Sequence, residues 1–276
     1  MEGKRVDSSA KPALRALHKT YLAFAHELAD FAGAATLPYF RRRLAVRNKA
    51  GEKGFDPVTA ADRAAERTMR KAIAARFPDH GVVGEEFEAK PAAGAYQWLI
   101  DPIDGTRAFI MGSPLWGTLI GLLHDGEPVL GLMDQPFTAE RFWGDGRVSR
   151  TRSARGKEQR LKTRACAALS DAVLTSTHPD LFSAAERSSF TRLKSQVRMT
   201  RYGGDCYGYC LLAAGFVDLV VEAGLKPHDV AALIPIIEGA GGRITTWDGR
   251  SAVHGGRIVA AGDPRLHKEA LAVLGG

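Results

Sequence analysis

Asp101, Asp104 and Thr106 lie in the run Trp98-Leu99-Ile100-Asp101-Pro102-Ile103-Asp104-Gly105-Thr106, where an apolar strand runs straight into two carboxylates and a hydroxyl. Two acids three residues apart on a turn bent by Pro102 and Gly105 can aim at one point, and their repulsion must then be relieved by a bound cation. A hard cation draws its oxygens from several parts of a chain. Two further acidic clusters can supply them. Gly84-Glu85-Glu86 follows the apolar pair Val82-Val83, with 14 residues between Glu86 and Asp101. Glu222 ends the apolar stretch Val217 to Val221, and Asp229, in Lys226-Pro227-His228-Asp229, opens a predicted helix. Each acid sits where a strand is expected to stop. Asp is also a routine helix N-cap, so Asp229 taken alone reads as a cap rather than a ligand.

Taken together, these segments resemble the inositol monophosphatase family, whose fold holds Mg²⁺ with a Gly-Glu-Glu element, an Asp-Pro-Ile-Asp-Gly-Thr turn and a distant Asp opening a helix. Order and spacing match, and the resemblance extends from about Pro12 to the C-terminus. It implies that Glu85 and Asp101, with the carbonyl of Ile103, ligate a first metal. Asp101, Asp104 and Asp229 would ligate a second, Asp101 bridging, in a site that takes about two or three Mg²⁺ ions. Asp56, in Asp56-Pro57-Val58-Thr59-Ala60-Ala61-Asp62, would pair with Thr106 to orient a nucleophilic water, while the same segment also turns into a helix N-cap. The amides of Gly105 and Thr106 would grip a phosphate oxygen if the turn opens a helix.

Phosphate ester cleavage explains the residue types. A phosphate dianion repels hydroxide, so metal ions must neutralise its oxygens and lower the pKa of a water. Carboxylates suit Mg²⁺, which prefers oxygen ligands and retains some waters. No covalent phosphoenzyme is required.

Substrate-side residues point to one branch of the family. Glu222, seven residues before Asp229, matches the position that contacts substrate hydroxyls in inositol monophosphatases. Asp205, in Arg201-Tyr202-Gly203-Gly204-Asp205-Cys206-Tyr207, puts a carboxylate where the family usually has small neutral residues, and Arg107 follows the motif threonine where Thr is frequent. With Lys226-Pro227-His228-Asp229 in place of the usual Trp-Asp pair, the chain resembles the histidinol-phosphate phosphatase branch. Asp205 and Glu222 would face the ammonium and imidazole of histidinol. The expected activity is Mg²⁺-dependent hydrolysis of L-histidinol phosphate in histidine biosynthesis. The alternatives are an inositol or other sugar-alcohol monophosphatase and, from another class, a noncatalytic RNA-binding regulator; the complete hydrolytic set weighs against the latter. The family also suggests a homodimer. Trp116 and His228 are neighbours of these segments that read more simply as core and as a partner of a ligand.

At 276 residues and 45% hydrophobic, the chain can bury a substantial core as one catalytic unit or two packed halves. No apolar run approaches the roughly 20 residues of a membrane span, and no h-region follows Met1-Glu2-Gly3-Lys4-Arg5, so a cytoplasmic protein with no membrane partner is expected. Cys166, Cys206 and Cys210 lack zinc spacing and read as buried thiols. The segment from Arg147 to Arg164 carries eight Lys and Arg against the single Glu158, an excess equal to the whole net charge of +7. Without aromatic residues for base stacking it reads as a solvated loop, so nucleic acid is not an expected partner.

The elements that must position the site alternate. Leu14, Leu17, Tyr21, Phe24, Leu28 and Phe31 recur at helical spacing, and a second helix follows Thr59 and stops near Phe77-Pro78. Leu115 to Leu123, Val129 to Met133, Arg141 to Trp143, Ala172 to Ser176, Val197 to Met199, Val217 to Val221 and Arg243 to Thr246 read as strands. Helices are expected at Phe182 to Lys194, Asp205 to Ala214, Asp229 to Gly239, with Pro235 as a kink, and Pro264 to Leu274. Alternation alone says mixed α and β. The resemblance makes it a layered α-β-α-β-α sandwich with a boundary near residues 147–164.

Overall fold

The computed structural model describes residues 10–43, 45–48 and 57–275. Helix α1 (Ala10–Thr36) leads to a two-stranded ribbon, β1 (Arg47–Asn48) and β2 (Pro57–Val58), and to α2 (Ala60–Arg76). Strands β3 (Gly81–Gly84), β4 (Tyr96–Asp104), β5 (Gly117–His124), β6 (Glu127–Gln135), β7 (Glu140–Gly144), β8 (Ser149–Arg152) and β9 (Glu158–Arg160) then form a seven-stranded sheet in sequential order, with short α3 (Thr106–Met111) after β4. Only β3 and β4 pair in parallel in that sheet. The second sheet has the order β11-β10-β12-β14-β13. It is built from β10 (Val173–Ser176), β11 (Met199–Tyr202), β12 (Leu219–Leu225), β13 (Arg243–Thr246) and β14 (Gly256–Ala261). Its helices are α4 (Ala184–Lys194), α5 (Asp205–Ala213), α6 (Pro227–Val230), α7 (Leu233–Gly239) and α8 (Pro264–Gly275).

Three apolar clusters define five layers. Tyr21, Phe24 and Leu28 of α1 and Met69 and Ile73 of α2 pack on Trp98, Ile120 and Leu132 of the large sheet. Tyr209, Cys210, Leu233 and Ile237, from α5 and α7, fill the space between Leu119 and Met133 of one sheet and Val220 and Ala260 of the other. Phe190, Leu193, Leu266 and Ala270 of α4 and α8 cover the outer face of the small sheet. The fold is therefore the layered α-β-α-β-α sandwich.

A row of glycines sets the central layer. Gly121, Gly131 and Gly144 stand directly opposite one another on β5, β6 and β7. They open a groove that receives the α6–α7 backbone: a Cβ on Gly131 would lie 1.8 Å from the Ala232 carbonyl oxygen, and one on Gly144 2.4 Å from that of Pro235. Ser149 Oγ fastens the far side by donating to the Ile236 carbonyl at 2.6 Å.

Four details depart from the sequence reading. The Arg147–Arg164 segment is not a loop; it contains β8, which pairs with β7, and β9, which pairs with β8, and the two extend the large sheet. Phe31 is 43% exposed while Ala29 and Ala32 are buried, because the close helix–sheet approach selects small side chains at the end of α1. The strand β14 escapes the pattern, and β11 begins two residues later than expected. The Asp229 helix is divided into α6 and α7, since Pro235 cannot donate to the Ala231 carbonyl. Ala231 and Ala232 nevertheless keep right-handed helical angles, so the axis bends and the chain does not turn away. Among the described residues no helix is long and apolar enough to cross a membrane, and all three cysteines are buried and free.

Gly131→Ala should destabilise the protein by about 1–3 kcal/mol or more, because the added methyl meets backbone rather than a movable side chain. The same change should weaken divalent-cation binding by displacing α6, which carries Asp229. Denaturant unfolding and titration calorimetry with Mg²⁺ would read the two effects.

Candidate active site

Strand β4 delivers the motif acids through an irregularity. Asp101 pairs with Leu119 and Asp104 with Gly117, so the ladder shifts between them, and such a bulge re-aims the side chains it carries. Asp101 Oδ1 accepts from the Ile103 amide at 3.0 Å, and Thr118 Oγ1 holds the Pro102 carbonyl at 2.8 Å. Gly105 follows with φ 85°, a conformation suited to glycine, and starts α3. Thr106 Oγ1 donates to the Ile103 carbonyl at 3.1 Å.

One other acid reaches the same point from the second half of the chain, and a backbone amide from that half holds Asp104. Asp229 sits in the first turn of α6, its Oδ2 accepting from the Lys226 amide at 2.7 Å. It is thus both cap and site residue. Asp104 Oδ2 accepts from the Cys206 amide at the start of α5, at 2.6 Å. One carboxylate oxygen from each of Asp101, Asp104 and Asp229 lies within 4.8 Å of the others. Burial pushes Asp101 and Asp104 well above the usual carboxylate range, and neighbouring acids add to it: Glu85, Asp104, Asp229 and Asp62 for Asp101, and Asp205 and Asp229 for Asp104. Burial also raises Asp229, against the opposing charge of His228. Carboxylates gathered in a low-dielectric pocket with only oxygen donors fit a hard divalent cation.

Glu85 enters from the end of β3, and its negative charge acts on both Asp101 and Asp229. Its loop is held by a residue to which the sequence reading assigned no role. Glu66 of α2 is fully buried, accepts from the Glu86 amide at 2.7 Å and pairs with Arg70 at 2.7 Å, and Arg70 donates onward to the Phe87 carbonyl at 3.0 Å. Gly84 passes so close that a Cβ would meet Glu66 Oε1 at 2.2 Å. An E at the fourth position after Asp62 on a helix face was the available signal.

Asp62 is the second residue without an assigned role. Its Oδ2 accepts from the Thr59 amide at 2.8 Å and from Thr59 Oγ1 at 2.6 Å, closing the capping box of α2. Its Oδ1 is buried with no hydrogen-bond partner among the described residues. Burial pushes Asp62 up to about 6, partly offset by Thr59. Asp56 lies outside the described residues.

Beside the cluster stands a second acidic pair. Glu222, on β12, is 4% exposed; its Oε1 accepts from the Thr177 amide at 2.9 Å and from Thr177 Oγ1 at 2.6 Å. Burial pushes it up to about 7. Asp205 begins α5 with φ 43°. Burial pushes it up to about 6, against a hydrogen bond from Thr177 and the charge of Arg107. Trp116 is wholly buried against Phe40, Ile103 and Phe109. His228 is buried too, its Nε2 3.3 Å from Asp229 Oδ1. Both are interior groups.

Residues 18–274 match the model of the inositol monophosphatase family. The chain is an inositol monophosphatase family member. It is 43% identical over 266 residues to the chloroplastic bifunctional phosphatase IMPL2 of Arabidopsis thaliana, covering 92% of this chain and 75% of the relative. It is 36% identical over 256 residues to the histidinol-phosphatase of Chlorobaculum parvum, covering 92% and 96%. An inositol monophosphatase structure from Zymomonas mobilis superimposes with a TM-score of 0.84 at 40% identity, covering 94% of this chain and 99% of that one. This family member is a metal-dependent phosphomonoester hydrolase.

The raised carboxylates give a pH dependence with a definite sign. Each binds its proton more tightly in the folded than in the unfolded state, so the stability these groups contribute to the metal-free protein is fully present only below the ordinary carboxylate range. It loses stability as pH rises through about 6 for Asp62 and Asp205 and about 7 for Glu222. The Tm of the metal-free enzyme should fall between about pH 5 and about pH 8, and the increase in Tm caused by Mg²⁺ should be larger at the upper end, where cation no longer competes with protons. Scanning calorimetry with and without Mg²⁺ measures both; an Mg²⁺ effect independent of pH would contradict a cation held by these acids.

Proposed function

We propose that this enzyme hydrolyses L-histidinol phosphate to L-histidinol and phosphate, as a cytoplasmic homodimer, with Mg²⁺ as its metal. The observation that carries the substrate is the pair of half-buried Asp205 and buried Glu222 beside the metal ligands: one carboxylate there suits the hydroxyls of a polyol, whereas two suit an alcohol bearing an ammonium and an imidazole. The 36% identical histidinol-phosphatase supports the reading. The 40% identical inositol monophosphatase supports its rival, an inositol or sugar-alcohol phosphate.

Two or three Mg²⁺ ions, held by Glu85, Asp101 and the Ile103 carbonyl and by Asp101, Asp104 and Asp229, would screen the phosphate oxygens, acidify the attacking water and stabilise the leaving oxygen. Gly105 and Thr106 amides would hold a phosphate oxygen, and Arg107 would flank Asp205 at the substrate. Thr106 Oγ spends its proton on the Ile103 carbonyl, which leaves its lone pairs to accept from a water. We place Asp62 Oδ1 beside Asp56 as an acceptor for this water, because among the described residues Oδ1 is buried without a hydrogen-bond partner and Asp62 acts on Asp101. The water oxygen would attack phosphorus as one of its protons passes to the carboxylate acceptor, the ester P–O bond would break, and in the net reaction the proton lost by the water ends on the departing histidinol oxygen.

Asp62→Asn should lower kcat by at least about a hundredfold with Mg²⁺ affinity within about threefold, since the contact matters in the transition state. Metal titration beside single-turnover kinetics measures the two, and an equal change in Asp56→Asn alone would leave the role to Asp56.

The decisive assay for substrate compares L-histidinol phosphate with inositol 1-phosphate, with and without Mg²⁺. Histidinol phosphate should have the higher kcat/KM. Asp205→Asn, a change the left-handed backbone tolerates, should raise KM for histidinol phosphate by about tenfold to a hundredfold, the worth of a charge-assisted hydrogen bond. Turnover of the inositol ester should change far less. Equal losses on both substrates would make Asp205 a structural residue and remove the preference for histidinol phosphate.

A further inference from the structure

Strand β3 stops one residue before Glu85. Gly84 pairs in parallel with Ile100 of β4, so Glu85 leaves the sheet alongside Asp101. The loop it enters is closed at its base by the backbone pair Val82 and Lys90, at 2.9 and 2.8 Å. Beyond the strand, α2 takes hold of the chain. Glu66 Oε2 accepts from the Glu86 amide at 2.7 Å and Oε1 from Arg70 Nε at 2.7 Å, while Arg70 Nη2 donates to the Phe87 carbonyl at 3.0 Å. The Phe87 ring lies against the guanidinium groups of Arg63, Arg67 and Arg70, at 4.7, 5.6 and 5.9 Å.

A wholly buried carboxylate is a costly way to fill space. Apolar side chains of equal volume commonly stabilise a protein as well as a buried ion pair does, so the pair Glu66 and Arg70 calls for a reason other than stability. Direction is what it supplies, since two acceptor oxygens meet two donors and Arg70 passes the hold on to Phe87. Gly84 belongs to the same arrangement: a Cβ there would stand 2.2 Å from Glu66 Oε1 and push the carboxylate off its donors. Asp62 lies one turn earlier on the same helix, so α2 sets both that acid and the Glu85 loop.

We propose that Glu66, with Arg70, is a positioning residue for cation binding: it fixes the backbone of Glu86 and Phe87 and thereby aims Glu85 at the metal. This rests on the reading of Glu85 as a ligand. Glu66 itself touches neither cation nor substrate.

Glu66→Gln keeps the shape but replaces one acceptor with an N–H, so either the Glu86 amide or Arg70 loses its partner. Arg70→Gln breaks the same hold from the half-exposed side. Mg²⁺ binding to the substrate-free protein is measured by titration calorimetry, with Tm recorded without metal. Glu85→Gln first identifies the binding that depends on Glu85. That binding should weaken about tenfold to a hundredfold in Glu66→Gln and in Arg70→Gln alike, whereas charge alone would move the two in opposite directions, one change removing a negative and the other a positive group. Adding Glu66→Gln to Glu85→Gln should alter the remaining Mg²⁺ binding by less than about threefold, because the first residue acts through the second. Mg²⁺ affinity within about threefold of wild type in Glu66→Gln, tighter binding in Arg70→Gln, a full further loss in the double variant, or loss of the fold in both single variants overturns the positioning role and leaves Glu85 as a ligand. Wild-type Mg²⁺ binding in Glu85→Gln overturns the ligand reading and the positioning role together.

Discussion

Repulsion among buried carboxylates is the constraint around which this molecule is arranged. Asp101, Asp104 and Asp229 bring oxygens within 4.8 Å of one another, with Glu85 and Asp62 acting on the same centre. The fold holds them there with one recurrent device, a backbone amide donated to one oxygen of each acid. Ile103 serves Asp101, Cys206 serves Asp104, Lys226 serves Asp229, Thr59 serves Asp62 and Thr177 serves Glu222. An amide hydrogen bond favours the ionised form and fixes the rotamer. It leaves the second oxygen for a cation, a water or a substrate. Because the amides come from a bulge, three helix starts and a strand end, acids far apart in sequence become one centre only when both sheets are complete.

Close backbone approach makes that convergence possible. The glycine row Gly121, Gly131, Gly144 lets α6 and α7 lie directly on the large sheet, which sets the height of Asp229 over Asp101. On the opposite face, Gly84 and Glu66 do the equivalent for the loop bearing Glu85. Tyr207 on α5 hydrogen-bonds Glu140 on β7, adding a polar link between the central helical layer and the large sheet. Such packing tolerates little added volume, since protein interiors are already close-packed. The position of the acidic cluster is therefore sensitive to a methyl group in the groove.

The acids of the β4 turn, Glu85 and Asp229 were legible in the sequence because carboxylates at strand ends with Gly and Pro beside them leave a pattern, and the family match extended it to the layers. What escaped depends on three dimensions. Asp62 looks like a cap, and is one; only its second oxygen, buried without a partner among the described residues, gives it further meaning. Glu66 looks like a helix surface charge because nothing local reveals that Gly84 lies against it. Gly121 reads as a weak point in a strand, whereas its cross-strand partner Gly131 makes it part of a groove. Phe31 follows the helical period but faces outward, the period being satisfied by Ala32 instead.

The basic segment shows how a charge pattern can be read for the wrong structure. Composition suggested a solvated loop, yet β8 and β9 set Arg150 directly opposite Arg160 and Arg152 opposite Glu158. Facing arginines weaken a strand pair. Strand β9 is also the open edge of a seven-stranded sheet and is exposed along its length. An edge of unpaired amides and carbonyls is a template for another chain, and charged side chains on it oppose that association. The cost of like charges across β8 and β9 is thus offset by protection of the edge, and the chain's entire positive excess follows from where its largest sheet ends.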